Sequence, residues 1–287
     1  MKKFLLIEAC LLAALSSCTK VADTPTPAEE NGLVPIAFRA KGLDVAVDTK
    51  TTAVTGLDSF NVLCTKGSAG NETSVWTVSS VTKENDLYFT GKYWPLVEQT
   101  THFYASNVGM TFQSAGSIIT PADMNTDIVY AYRDNATFKY TNTLAFRHIF
   151  ARIGNVRLDA PAGYQIENLN VSITPKVVDG TSTYFNMRTA KWFNESAGSA
   201  QTICSTPNTA VANDLWLIPG SYTLTATYTL RRGEWVNPSV TKTANISLTI
   251  GKVHSITGTV PAGDATEISF QVGVDQWTSK DLSATFQ

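Results

Sequence analysis

What most constrains this chain is an alternation of apolar and polar side chains with a period of two, restarted many times along its length. It occurs at 60–64, 74–81, 86–90, 102–107, 127–132, 144–158, 166–173, 221–229, 245–250, 254–260 and 268–274, with Gly, Pro, Asn and Asp between the stretches. Successive side chains of an extended strand point to opposite faces, so each stretch reads as a strand with at least one covered face. Thr, Val and Ser are abundant, and helical spacing never persists beyond two turns. Many short strands in a chain of this size imply an all-β fold of sandwiches or barrels. No motif recurs at the spacing of a propeller blade or a solenoid repeat.

The 287 residues are enough for two units of ordinary size once a leader is set aside. A polar break, Tyr140-Thr141-Asn142-Thr143, precedes a long apolar stretch. There Ala145, Arg147, Ile149, Ala151 and Ile153 share one face, and Leu144, Phe146, His148, Phe150 and Arg152 share the other. Both faces are partly apolar, as in a central strand. The expected units are 33–141 and 142–287.

The first residues read as an export signal. Lys2 and Lys3 precede an apolar run over 4–15, interrupted by Glu8 and too short to span a bilayer. Leu15-Ser16-Ser17-Cys18 then has the form of a bacterial lipobox. The expectation is a signal peptide over 1–17 and a diacylglycerol on the thiol of Cys18, which becomes the mature N-terminus. Acyl chains hold a protein at a membrane by about 0.8 kcal/mol per buried CH₂. Residues 18–32, with two prolines and Glu29-Glu30, read as a flexible tether.

The net charge of −2 gives no reason to expect a nucleic-acid partner. Beyond the leader, Cys64 and Cys204 stand far apart; two buried thiols are expected, a bond between them in an exported protein being the alternative, and without a CxxC motif or a Cys/His cluster no zinc site is expected. His102, His148 and His254 each lie in a strand-like stretch, and no serine sits in a GxSxG elbow. Asp127, Asp159, Glu167, Asp179 and Asp275 fall mostly at strand ends and turns, where carboxylates are ordinary. Neither catalysis nor a metal or cofactor is expected. Of the six tryptophans, Trp76, Trp94, Trp192, Trp216 and Trp277 read as packing residues. Trp235, in the hairpin-like Arg231-Arg232-Gly233-Glu234-Trp235, is the best candidate for an exposed one.

Several segments, taken in order, resemble the fimbrillin-like family of type V pilus subunits. They are the lipobox at Cys18, the first strand Val34-Pro35-Ile36-Ala37-Phe38-Arg39, and Tyr93-Trp94-Pro95 followed by Phe103-Tyr104-Ala105. Phe146-Arg147-His148-Ile149-Phe150-Ala151 resembles the strand opening the family's second domain, and Leu217-Ile218-Pro219-Gly220, 250–256 and 268–277 its closing strands.

The resemblance implies two tandem transthyretin-like, Greek-key β-sandwiches, and a non-enzymatic structural or adhesive subunit of a cell-surface pilus. It also implies export as an outer-membrane lipoprotein. A trypsin-like protease would remove the first strand, and a strand from another subunit would fill the vacated groove. On these residues the removable strand carries Val34, Ile36 and Phe38 on one face, with Pro35 taken as a mark of an edge strand. Arg39 and Lys41 are the cleavage candidates, with Lys50 more distant. Leu282, Ala284 and Phe286 alternate suitably for a donor strand. The implied partners are other pilus subunits, the outer membrane, and a host or bacterial surface ligand. The alternative is a surface glycan-binding lipoprotein of a nutrient uptake system, which would keep its first strand.

Overall fold

The computed structural model describes residues 33–41, 47–49, 52–54, 57–84, 87–95, 99–136, 141–261 and 268–276. These form strands and no helix. In the first half the strands are β1 (Pro35–Lys41), β2 (Val47–Thr49), β3 (Thr52–Val54), β4 (Ser59–Lys66), β5 (Thr73–Glu84), β6 (Leu87–Tyr93), β7 (Thr101–Ser106), β8 (Ile118–Ile119), β9 (Val129–Ala136), β10 (Thr141–Ala145) and β11 (Arg147–His148). In the second half they are β12 (Ala151–Asp159), β13 (Gln165–Ile173), β14 (Lys176–Val177), β15 (Tyr184–Asn186), β16 (Lys191–Phe193), β17 (Ser196–Ala197), β18 (Gln201–Cys204), β19 (Val211–Leu217), β20 (Gly220–Arg232), β21 (Trp235–Val236), β22 (Val240–Leu248), β23 (Lys252–Thr259) and β24 (Ser269–Gln276).

The first half is built on the strand order β10-β1-β6-β5-β4-β7-β9-β11. This path doubles back at β5, which pairs with β4 over most of its length but with β6 only at Lys83 and Glu84. The bend is a bulge: the register against β4 slips between Phe60 and Val62, and Ser80 opposite adopts a left-handed φ of 54°. Asn61 Oδ1 accepts the Ser80 N–H at 3.1 Å. Ile36, Phe38, Phe60, Val62, Cys64, Phe103, Ala105, Val129 and Leu144 meet in one core.

The second half is a sandwich of β19-β12-β23-β24 against a sheet in which β20 is flanked by β13 and β22. Its core takes alternate residues: Ala151, Ile153, Val156 and Leu158 from one face, Tyr222, Leu224, Ala226, Tyr228 and Leu230 from the other. Within the first of these sheets the side chains of the neighbouring strands close over Gly258, where a Cβ would lie 2.5 Å from Leu158 Cδ1 on β12 and 2.7 Å from Phe270 Cε1 on β24.

Three sequence expectations need correction. The stretch 144–158 is not one strand but β10, β11 and the start of a new sheet at β12. β10 and β11 pair with β1 and β9, so the first sheet keeps the chain as far as His148, and a division at 141/142 would cut through β10. β1 is not an edge strand: β10 pairs with it in parallel and β6 antiparallel. Pro35 is tolerated because it is the first residue of the strand, ahead of the β10 pairing that starts at Ala37.

A third core joins the halves. Leu63, Tyr104, Ile128 and Tyr130 meet Ile149, Phe150, Phe185, Met187, Trp216, Ile218 and Val253. Period-two alternation explains it. Val62, Phe103 and Val129 face the first core, so their chain neighbours Leu63, Tyr104 and Tyr130 face the opposite way. A shared sheet reinforces the joint, because β8 from the first half pairs with β15 from the second.

Candidate functional site: the slot of the first strand and the clasp behind it

β1 fills a slot between two strands. Ala37 to Lys41 pair with Thr141 to Ala145 of β10, and Pro35, Ala37 and Phe38 pair with Tyr93, Phe89 and Tyr88 of β6. Ile36, Ala37 and Phe38 are buried, and Val34 and Ala40 pack against the same core from partly buried positions. The Phe38 ring meets Phe103 edge-on at 4.9 Å, and Trp94 also reaches Phe103, at 5.8 Å. The Thr90 hydroxyl donates to Ile36 O at 2.9 Å, and Trp94 N–H to Val34 O at 2.9 Å. Burying the side chains of Val34, Ile36 and Phe38 contributes roughly 5–9 kcal/mol gross.

Arg39 is exposed, but its backbone lies in the ladder opposite Thr143. Lys41 is likewise the last residue of β1, opposite Ala145. Both cleavage candidates therefore sit inside the strand rather than in a loop beyond it. Toward β6 the pairing stops at Phe38, so Arg39–Lys41 is held from the β10 side alone. A protease needs an extended, accessible backbone, so cutting here requires local opening of that end. Cys18, Lys50, Leu282, Ala284 and Phe286 lie outside the described residues.

On the far side of the same sheet lies a buried polar clasp between the halves, which the sequence did not reveal. The Glu72 side chain is fully buried and ion-paired with Arg188 from the second half. Its Oε2 accepts from the Thr65 hydroxyl at 2.7 Å and from the Tyr104 hydroxyl at 2.8 Å. Arg188 also donates to the Tyr104 oxygen at 3.0 Å, and its guanidinium lies 5.5 Å from the centre of the Tyr132 ring. His102 stands 2.8 Å from Gly67 O through Nε2 and 2.7 Å from Asp134 Oδ1 through Nδ1. Burial pushes the Tyr104 and Tyr132 hydroxyls well above the ordinary tyrosine range, with Tyr132 and Asp134 respectively adding to it, and draws Arg188 down. Arg188 is aimed by a tight turn after β15, where Asn186 Oδ1 accepts the N–H groups of Arg188 and Thr189.

The histidines are all buried strand residues. His148 Nδ1 is 2.8 Å from the buried Asp127 Oδ1, and His254 Nε2 accepts the Thr249 N–H at 2.9 Å. Burial draws the His254 value down. Among the described residues no group of His, Cys, Asp and Glu is arranged to hold a metal ion. Cys64 and Cys204 are free thiols in different cores. Trp94 and Trp216 are buried, Trp76 and Trp192 are half-buried against cores, and Trp235 is 52% exposed. Trp277 lies outside the described residues.

No family model matches the chain, and no curated protein matches it. Solved structures do. A fimbrial protein from Bacteroides vulgatus ATCC 8482 is similar at 15% identity and a TM-score of 0.48, covering 85% of this chain and 99% of that one. The tip fimbrial protein Mfa3 from Porphyromonas gingivalis, with a C-terminal truncation, is similar at 10% identity and a TM-score of 0.42, covering 85% of this chain and all of that one. The structures to which this chain is similar thus include fimbrial proteins.

Proposed function

We propose that this chain is a structural and adhesive subunit of a cell-surface pilus, exported as an outer-membrane lipoprotein on Cys18 and assembled by exchange of its first strand. The observation that carries the reading is the placement of β1. It is the first described strand after the tether, it is buried through Ile36, Ala37 and Phe38, and it lies between two strands that do not pair with each other. Its loss would leave two unpaired backbone edges facing one another across an apolar trough. Such a trough suits an extended peptide, with main-chain hydrogen bonds giving affinity and side-chain pockets giving register. Arg39 and Lys41 are the proposed cleavage positions, and Leu282, Ala284 and Phe286 the proposed donor residues. In this reading the halves are tandem transthyretin-like sandwiches that change over at Ile149–Phe150.

The test exposes the wild type and an Arg39→Ala, Lys41→Ala double variant to an arginine/lysine-specific protease. Intact mass and SDS gels are then read. Wild type is expected to lose its first strand and form SDS-resistant ladders, while the variant stays monomeric. Cut wild type that unfolds, or that stays monomeric with other pilin subunits supplied, overturns strand exchange at this site.

A further inference from the structure

We propose that the tip of the β20–β21 hairpin is a carbohydrate-binding site in which Trp235 is the platform for a pyranose ring. Most large apolar side chains here are covered, yet this tip exposes Trp235 by 52% and its neighbour Val236 by 42%. Tyr164 adjoins them, its ring centre 6.3 Å from that of Trp235 and its plane at 84° to it. The two rings form a corner, one wall set square to the other. Exposed apolar surface grouped in this way marks a contact site more often than scattered residues do.

The corner is fixed before any ligand arrives. Arg231 and Arg232 pair with Val236 and Trp235 across a two-residue turn, in which Gly233 takes a φ of 61°. Asn237, buried at the base of the hairpin, donates its N–H to Leu230 O at 3.0 Å and accepts the Leu230 N–H on its side-chain oxygen. A platform held this firmly loses little freedom when a ligand stacks on it.

The charges around it select the ligand class. Arg231 is bound to Glu167 at 2.5 Å, so these two offset one another. The Arg232 guanidinium lies over the Tyr164 ring, 5.3 Å from its centre, which leaves its in-plane N–H groups available at the rim. Glu234, exposed at the turn, supplies a carboxylate acceptor. An apolar corner with one donor group and one acceptor group at its edge matches a sugar ring, which has a C–H face bordered by hydroxyls. The local charge is balanced, so it does not favour a polyanion. A protein partner would need roughly 800 Å² on this side, far more than two rings and a valine present.

An open platform of this kind binds one sugar weakly, roughly in the millimolar range. Repeated along a fibre, it would gain about 10²–10⁴ in avidity. That gain rests on the pilus reading, whereas the site itself does not.

The test uses biotinylated protein clustered on streptavidin and applied to a printed array of pyranose-terminated glycans. Immobilised glycoproteins, intact and enzymatically deglycosylated, are included. Clustered wild type is expected to retain at least one glycan class. Trp235→Ala should lose retention by roughly tenfold or more, with Trp235→Phe between the two. The Trp235 indole N–H resonance should shift on titration with the methyl glycoside of the retained sugar. Melting curves of the variants should match wild type, since Trp235 projects from the fold. If no glycan is retained, or Trp235→Ala binds as wild type does, the proposal is overturned. Equal retention on deglycosylated protein also overturns it, in favour of a protein partner. Trp235→Ala is expected to form ladders normally after protease treatment, so failure on the array leaves the assembly proposal standing.

Discussion

The first strands of the two halves occupy matching slots. β1 lies between a parallel neighbour, β10, and an antiparallel one, β6; β12 lies between parallel β23 and antiparallel β19. Their attachments differ. β1 follows the segment read as a tether and is paired by β6 only as far as Phe38. β12 is longer, pairs with β23 out to Asp159, and follows Ile149 and Phe150, which are buried in the core between the halves. Similar slots therefore hold a strand that, on the proposed reading, one cut would free and a strand that continues at both ends into buried structure. Connectivity, more than burial, separates them.

Removing β1 altogether presses hardest on this comparison. Deleting 33–39 forfeits roughly 5–9 kcal/mol gross, on the scale of a whole domain's stability of about 5–15 kcal/mol. The first half should stay folded but melt well below the β12 sandwich, and a synthetic 33–41 peptide should raise that transition again. Collapse of both halves together would show that the slots are not independent.

The clasp comes next. Replacing Arg188 by Ala strands the buried Glu72 carboxylate and should cost about 3–5 kcal/mol in chemical denaturation. Replacing Glu72 and Arg188 together by apolar residues of similar volume should cost much less. Equal losses would mean that the pair itself, and not the stranded charge, accounts for the cost.

A chemical probe reads the slot directly. Burial pushes the Cys64 thiol up to about 12, and Cys64 shares its core with Ile36 and Phe38. Iodoacetamide should leave Cys64 and Cys204 untouched in the intact protein. After cleavage of β1 it should modify Cys64 but not Cys204, as read by peptide mass mapping. Because the folded value lies above the ordinary 9.0, the stability from burying the neutral thiol is whole below about 9. It is lost as pH climbs toward about 12. Modification of both thiols after cleavage would show that the second core opens as well.

Arg39→Ala should have the smallest effect. The side chain is exposed, so melting should be unchanged and only the arginine-specific cut at that position should disappear. A shifted melt would give the side chain a packing role.

Much of this was legible in the sequence, for local reasons. The alternation through β4, β7, β13, β20 and β23 follows directly from the strand period, and Val34, Ile36 and Phe38 fall together because they are two residues apart. What stayed hidden depends on distant chain. Phe103 and Tyr104 show that both faces of β7 are covered, but not that the second half covers one of them. Glu72 and Arg188 carry no local sign of their pairing. Alternation also runs unbroken through 144–158, so it gives no warning that the chain changes sheets after His148. Pro35 misled for a related reason, since its missing N–H excludes a ladder bond at one position and not a partner along the rest of the strand.

The mixed surroundings of β1 carry one more consequence. One wall of the slot runs with the strand and the other runs against it. The walls are therefore not interchangeable, and an occupant entering backwards would meet each with the wrong hydrogen-bond pattern. A strand supplied by another copy would have to enter in a single sense, giving a head-to-tail joint without a two-fold axis. Joints of that kind do not close on themselves in pairs. A row of such copies would have two different ends, one offering an empty slot and the other an unused strand, and its growth would have an arrow.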